Sequence, residues 1–172
     1  MKISKIFCHW FYISFILFYS GTVFPNELFK SKGAVVTSNV LATAAGEKIL
    51  AEGGNAYDAA TTISAMLSVV EPFASGLGGG AFWLIYDAKS KKYKMLDARE
   101  TAPLQSHKNM YLDENEKIIK NSSTLGPLSA GIPGIPAVLS YVNDTYGSKK
   151  LSTLLTPAYK AAINGFPVNE RY

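Results

Sequence analysis

The chain has 172 residues, 48% of them hydrophobic and 17% charged, which suits one globular domain and excludes a disordered or collagen-like polypeptide. Its formal charge of +4 falls to +2 once Lys2 and Lys5 of an apolar leader are set aside, because no acid accompanies them, and that is no nucleic-acid signature. The single cysteine, Cys8, and one of the two histidines, His9, lie in the same leader, so the chain beyond it offers no disulfide, no Cys/His metal set and no cysteine nucleophile.

Lys2 and Lys5 precede an apolar run over residues 6–24, broken by His9, Ser14, Ser20, Gly21 and Thr22. A charged start followed by an apolar segment is the pattern of a secretory signal peptide, with Ser20 and Thr22 as the small-residue pair for cleavage, and the run is also long enough to span a bilayer. Residues 1–24 are therefore expected to be a removed signal peptide or a retained membrane anchor, and residues 25–172 the mature domain. Either form implies export to a periplasmic or extracellular location, with a membrane link only through this segment.

Residues 33–38 (GAVVTS) have a short buried-strand pattern. Asn39 can cap a helix over residues 40–52 whose apolar face is Leu41, Ala44 or Ala45, Ile49 and Leu50, and Gly53 and Gly54 end it. Asn55 is a second N-cap, its side-chain oxygen placed to accept from the amide of Asp58, which itself puts a negative charge where the helix dipole favours one. Ala56, Ala59, Ala60, Ile63, Met66, Leu67 and Val70 then form one stripe, and the helix must stop near Glu71 because Pro72 follows. Three alanines in two turns let a neighbouring backbone come close, which predicts a helix packed inside a layered domain.

Gly76-Leu77-Gly78-Gly79-Gly80 reads as a tight turn that tolerates positive φ and close backbone approach. Residues 81–86 (AFWLIY) are apolar on both faces and predict a strand covered on both sides, whereas Tyr93, Met95 and Asp97 alternate with Lys94 and Leu96 as a half-exposed strand. The polar residues 87–92 join them as a hairpin loop. Arg99 falls just past the second strand, at the rim of a sheet, where loops hold binding residues on a rigid support.

Residues 101–124 have little periodicity and read as a long, packed connection containing the Met110-Tyr111-Leu112 patch. Gly134 and Pro136 open a helix with Ile135, Val138 or Leu139, Val142 and Tyr146 buried, Pro136 standing in the first turn where its missing amide costs nothing. Gly147 closes that helix. A last helix takes in Leu151, Leu154, Leu155, Ala158 and Ala162, is kinked or restarted at Pro157, and ends at Asn164-Gly165. No internal repeat or low-complexity tract is present.

Familiar catalytic arrangements are missing. The nearest approach to a serine-hydrolase elbow, Phe73-Ala74-Ser75-Gly76-Leu77, fails at both glycine positions. His107 stands in an irregular segment without a partner for a triad. GLGGG runs on into Ala81-Phe82 and not into the lysine and hydroxyl of a phosphate loop. Glu114 and Glu116 lie in a polar loop, and Lys89, Lys91, Lys92 and Lys94 belong to a solvated hairpin tip without the stacking aromatics of a nucleic-acid site. Arg99, at the rim of the sheet, reads from the residues alone as the partner of an ion pair with Glu100 or Asp97.

Four segments, GGNAYDAA at 53–60, GLGGG at 76–80, DARETAP at 97–103 and SAGIPGIPAVL at 129–139, together resemble the start of the large subunit of gamma-glutamyltransferase, also called glutathione hydrolase. The resemblance runs in one collinear order from residue 33 to the last. It implies an α/β class protein carrying the N-terminal portion of the large subunit of an αββα N-terminal-nucleophile hydrolase, whose precursor cuts itself to free a threonine at the start of a small subunit. That threonine attacks the γ-glutamyl amide of glutathione or a related compound, and water or an amino acid resolves the acyl-enzyme. By the same resemblance Arg99 holds the α-carboxylate of the γ-glutamyl group, no cofactor is needed, and the threonine-bearing small subunit is the partner. DARETAP departs from the familiar form in placing Ala98 where an aromatic is usual, which loosens the expected packing behind Arg99. The catalytic threonine region is expected beyond residue 172, which makes this a truncated chain, inactive alone. The alternative is a non-catalytic remnant or accessory protein that binds a γ-glutamyl ligand or a partner subunit without turnover.

Overall fold

The computed structural model describes residues 33–168, Glu170 and Tyr172, so the signal peptide or anchor expected over residues 1–24 lies outside the described residues. In chain order the elements are α1 (Val40–Ala51), α2 (Ala56–Val70), a single-turn α3 (Pro72–Ser75), β1 (Ala81–Asp87), β2 (Lys92–Ala98), a 3-10 turn (Pro127–Ser129), α4 (Ile135–Tyr146) and α5 (Leu151–Asn164). None of the described helices is long and apolar enough to cross a membrane.

Local chemistry sets the helix ends. Asn39 accepts from the Leu41 amide at 3.0 Å and starts α1. At the other end Gly53, with φ of 83°, donates to the Leu50 carbonyl while Gly54 donates to that of Ile49, a pair of bonds that satisfies the last carbonyls of the helix. Asn55 then accepts from the amides of Tyr57 and Asp58 while the Asp58 carboxylate accepts from the Asn55 amide, a complete capping box. Helix α5 runs through Pro157 without restarting, and the single turn of α3 after Pro72 adds to the expected elements.

Helix α2 is the hub, with α1, α3, α4 and α5 all packed on it. Ala42 and Ala45 of α1 meet Ala65, Met66 and Val70 of α2 and Ala158 of α5, and Ile49, Ala59 and Leu154 continue that core. The alanines do what their size allows: they bring backbones close enough for three helices to share one seam. Ala45, not Ala44, faces inward. On α2 the wholly buried Asp58, Thr61 and Thr62 were not part of the expected stripe, whose first member, Ala56, is exposed.

Strands β1 and β2 pair antiparallel from Ala81↔Ala98 to Asp87↔Lys92. Expectation is corrected here, because β1 is covered on one face and not on two. Trp83 packs on the third core cluster of Ala98, Val138 and Val142 and Ile85, two residues on along the same strand, is buried, while Phe82, Leu84, Tyr86, Tyr93 and Met95 are exposed. A continuous apolar run does not say which face is covered, and the described elements supply cover for one. Residues 33–38 likewise pair with no strand among the described residues, and Val36 is exposed. The connection over 101–124 is more open than expected, with its Met110-Tyr111-Leu112 patch only half-buried and Leu104 and Ile118 exposed.

Candidate functional site

Three of the four sequence segments meet around one short stretch of backbone, residues 98–101. The end of β2 carries Ala98, which is buried between the hairpin and α4, and Arg99 follows it. Asp97 turns the chain there by accepting from the Arg99 amide at 3.0 Å, the short-range bond that aspartate makes two residues ahead in a turn. Thr101 then pairs with Ile132, each amide donating to the other's carbonyl at 3.2 and 2.8 Å. The stretch before α4 is thus tied alongside the stretch after β2.

The glycine turn closes the other side. None of its glycines has a positive φ, so its composition answers to close approach and not to left-handed backbone. A Cβ on Gly80 would stand 2.7 Å from Arg99 Cα and 2.7 Å from the Glu100 nitrogen, nearer than any side chain can be placed. The Gly79 carbonyl accepts from the amides of Gly134 and Ile135 at 3.1 and 3.2 Å. The first free donors of α4 are therefore consumed within the protein.

Arg99 lines an open groove of about 570 Å³ between β2 and α4, together with Asp97, Thr101, Ile132, Gly134 and Tyr141. Its guanidinium Nε lies 3.3 Å from a Glu100 carboxylate oxygen, and its side chain is 64% exposed. The ion pair with Glu100 foreseen as the structural use is present. At that exposure it is worth well under 1 kcal/mol and leaves the outer nitrogens of the fork open to the groove. What the arrangement can do is hold an anion through the guanidinium, with the carboxylates of Asp97 and Glu100 and the phenol of Tyr141 as its polar neighbours.

The remaining candidates are not brought to this place. Ser75 ends α3 with its amide on the Glu71 carbonyl, His107 is exposed, and Glu114 and Glu116 sit in the open connection. Among the described residues no group of His, Cys, Asp and Glu could hold a metal ion. A hydroxyl does meet a carboxylate at Ser148 and Asp58, which also accepts from the amides of Asn55, Ser148 and Lys149. Burial alone would raise the Asp58 pKa, but those donors outweigh it and hold the group below the ordinary carboxylate range. A carboxylate so well satisfied is a poor base, and the pair is a fastener between α2 and the α4–α5 link. Sequence reading missed this partner; Asp58 was legible as a cap, and no local signal points ninety residues ahead.

Residues 42–172 match the family model described as gamma-glutamyltranspeptidase. The glutathione hydrolase proenzyme of Bacillus subtilis strain 168 is 41% identical over 138 residues, which is 80% of this chain and 24% of that protein. That of Escherichia coli K12 is 39% identical over 139 residues, again 24% of its length. The crystal structure of Helicobacter pylori gamma-glutamyltranspeptidase superposes with a TM-score of 0.76 at 44% identity, over 81% of this chain and 40% of that one. The chain thus spans about a quarter of the length of these curated relatives.

Proposed function

The chain belongs to the gamma-glutamyltranspeptidase family, and on that premise we propose that it supplies the carboxylate-holding part of an enzyme that cleaves the γ-glutamyl amide of glutathione and related compounds. Arg99 receives the α-carboxylate of the γ-glutamyl group. A threonine on a partner segment attacks the γ-carbonyl, the amine departs with a proton, and the resulting ester passes its acyl group to water or to an amino acid. This chain's share is to bind and orient, and a bidentate guanidinium–carboxylate pair fixes both position and rotation of the donor. Export through the leader of residues 1–24 would place the reaction in a periplasmic or extracellular space.

The observation that carries the reading is the convergence of the glycine turn, the segment before α4 and the end of β2 on the backbone of one exposed arginine beside a groove. The test is release of aniline from a γ-glutamyl anilide by the chain assembled with the family's threonine-bearing half. Arg99→Ala is expected to cost about 2 to 5 kcal/mol in kcat/KM, and Arg99→Lys to restore only part of that. Unchanged kinetics with lowered thermal stability would return Arg99 to a purely structural partner of Glu100.

A further inference from the structure

Between α4 and the arginine-bearing stretch there is room for a hydrogen atom and no more. A Cβ on Gly134 would stand 1.9 Å from the Ala98 carbonyl oxygen and 3.0 Å from the Arg99 carbonyl oxygen. Both are backbone atoms, so neither can swing aside as a flexible side chain would. The same residue's amide, with that of Ile135, holds the Gly79 carbonyl, and Gly80, the residue after Gly79, presses on Arg99 Cα and the Glu100 nitrogen from the turn side. The backbone at Arg99 therefore runs through a slot with a glycine on each wall, and the walls are bonded to each other. The direction of the Arg99 Cα–Cβ bond, and with it the arc its guanidinium can reach in the groove, is fixed by the width of that slot.

We propose that Gly134 is a positioning residue for Arg99, setting where the guanidinium meets the donor carboxylate. The inference rests on the reading of Arg99 as that carboxylate's holder. An alanine at 134 must push the start of α4 and the end of β2 apart, which moves the guanidinium away from where it would hold the donor carboxylate and weakens that binding. The Glu100 pair gives no rescue, because it moves with the same backbone.

In the assembled enzyme Gly134→Ala is expected to raise KM for a γ-glutamyl donor about 10-fold or more while kcat changes far less, the pattern of lost uniform binding. On an Arg99→Ala background the same change should add no further loss, because its effect passes through the missing side chain. A donor lacking the α-carboxylate should be used equally by wild type and Gly134→Ala. Losses that multiply on the two backgrounds would overturn the proposal and leave Gly134 a packing residue only. If Gly134→Ala does not fold, Gly80→Ala, whose contacts are less severe, goes through the same cycle with the same expected non-additivity. If Arg99→Ala itself leaves donor use unchanged, the carboxylate reading falls separately. Positioning is then decided by the rate at which phenylglyoxal modifies Arg99, followed by peptide mass: a rate altered by Gly134→Ala supports the slot, and an unaltered one overturns it.

Discussion

Asp58 shows how much one side chain can be asked to hold. Its carboxylate is wholly buried yet accepts from three amides and the Ser148 hydroxyl, while Asn55 beside it donates to the Tyr146 carbonyl at 2.8 Å. The start of α2 and the end of α4 are thereby pinned together, and Tyr57 stacks on Tyr146 with ring centroids 4.8 Å apart to cover the join. Hydrogen bonds to a buried charge are among the stronger ones, so Asp58→Ala is expected to lower unfolding stability by about 3 kcal/mol, read from urea midpoints. The pH dependence has a definite sign. Because the folded pKa lies below the ordinary value of 3.8, the folded state binds fewer protons, and the contribution is complete above that value and lost as pH falls through the folded pKa. Asp58→Asn should remove that acid-side slope while retaining part of the neutral-pH stability, and an unchanged slope between about pH 5 and 2 would sink the assignment.

At the scale of elements, caps and periods were legible and cover was not. Asn39, Asn55, Gly53 and Gly147 mark helix ends because capping is a contact between near neighbours, and the sequence places near neighbours by itself. The hairpin was legible for the same reason, from a short polar loop between two apolar runs, although Asp87 and Lys92, expected in that loop, pair at the end of the strands. Which face of β1 is covered depends on layers, and layers come from distant parts of a chain. Gly134 was similarly read as a helix opener, while its pressure on Ala98, far earlier in the chain, has no local sign. The alternation along β1 makes a clean contrast between neighbouring residues. Ile85→Ala, which empties a buried position, is expected to cost about 2 to 4 kcal/mol in this chain. Leu84→Ser, at a position 71% exposed, should change stability by no more than about 0.5 kcal/mol. Equal losses at the two positions would mean that β1 is covered on both faces after all.

For the molecule as a whole, the helices and hairpin are part of the layered α/β fold of the N-terminal-nucleophile hydrolases, as the superposition on gamma-glutamyltranspeptidase requires. The family was legible because four segments kept their order and spacing. Their shared purpose was not, since only the folded chain brings the glycine turn, Gly134 and Arg99 to one point. That point also defines what these residues can do unaided. Amide cleavage through an acyl-enzyme needs an activated nucleophile, donors for the oxyanion and a held substrate. On the function proposed for it, Arg99 would serve the third need. For the first, the hydroxyl that meets a buried carboxylate is that of Ser148, and Asp58 has its basicity spent on four donors. For the second, the amides that converge near the site, those of Gly79, Gly134 and Ile135, already serve the carbonyls of Gly76 and Gly79. The 172-residue chain by itself is therefore expected to release no aniline from a γ-glutamyl anilide. The open face of Phe82, Leu84, Tyr86, Tyr93 and Met95 should make it self-associate in solution, because an apolar sheet face of this kind seeks cover. Sedimentation and the anilide assay on the purified chain, before and after adding the threonine-bearing half, check both at once. Gain of turnover together with loss of self-association is the expected result, and steady turnover by the chain alone would require a nucleophile that none of the described contacts reveals.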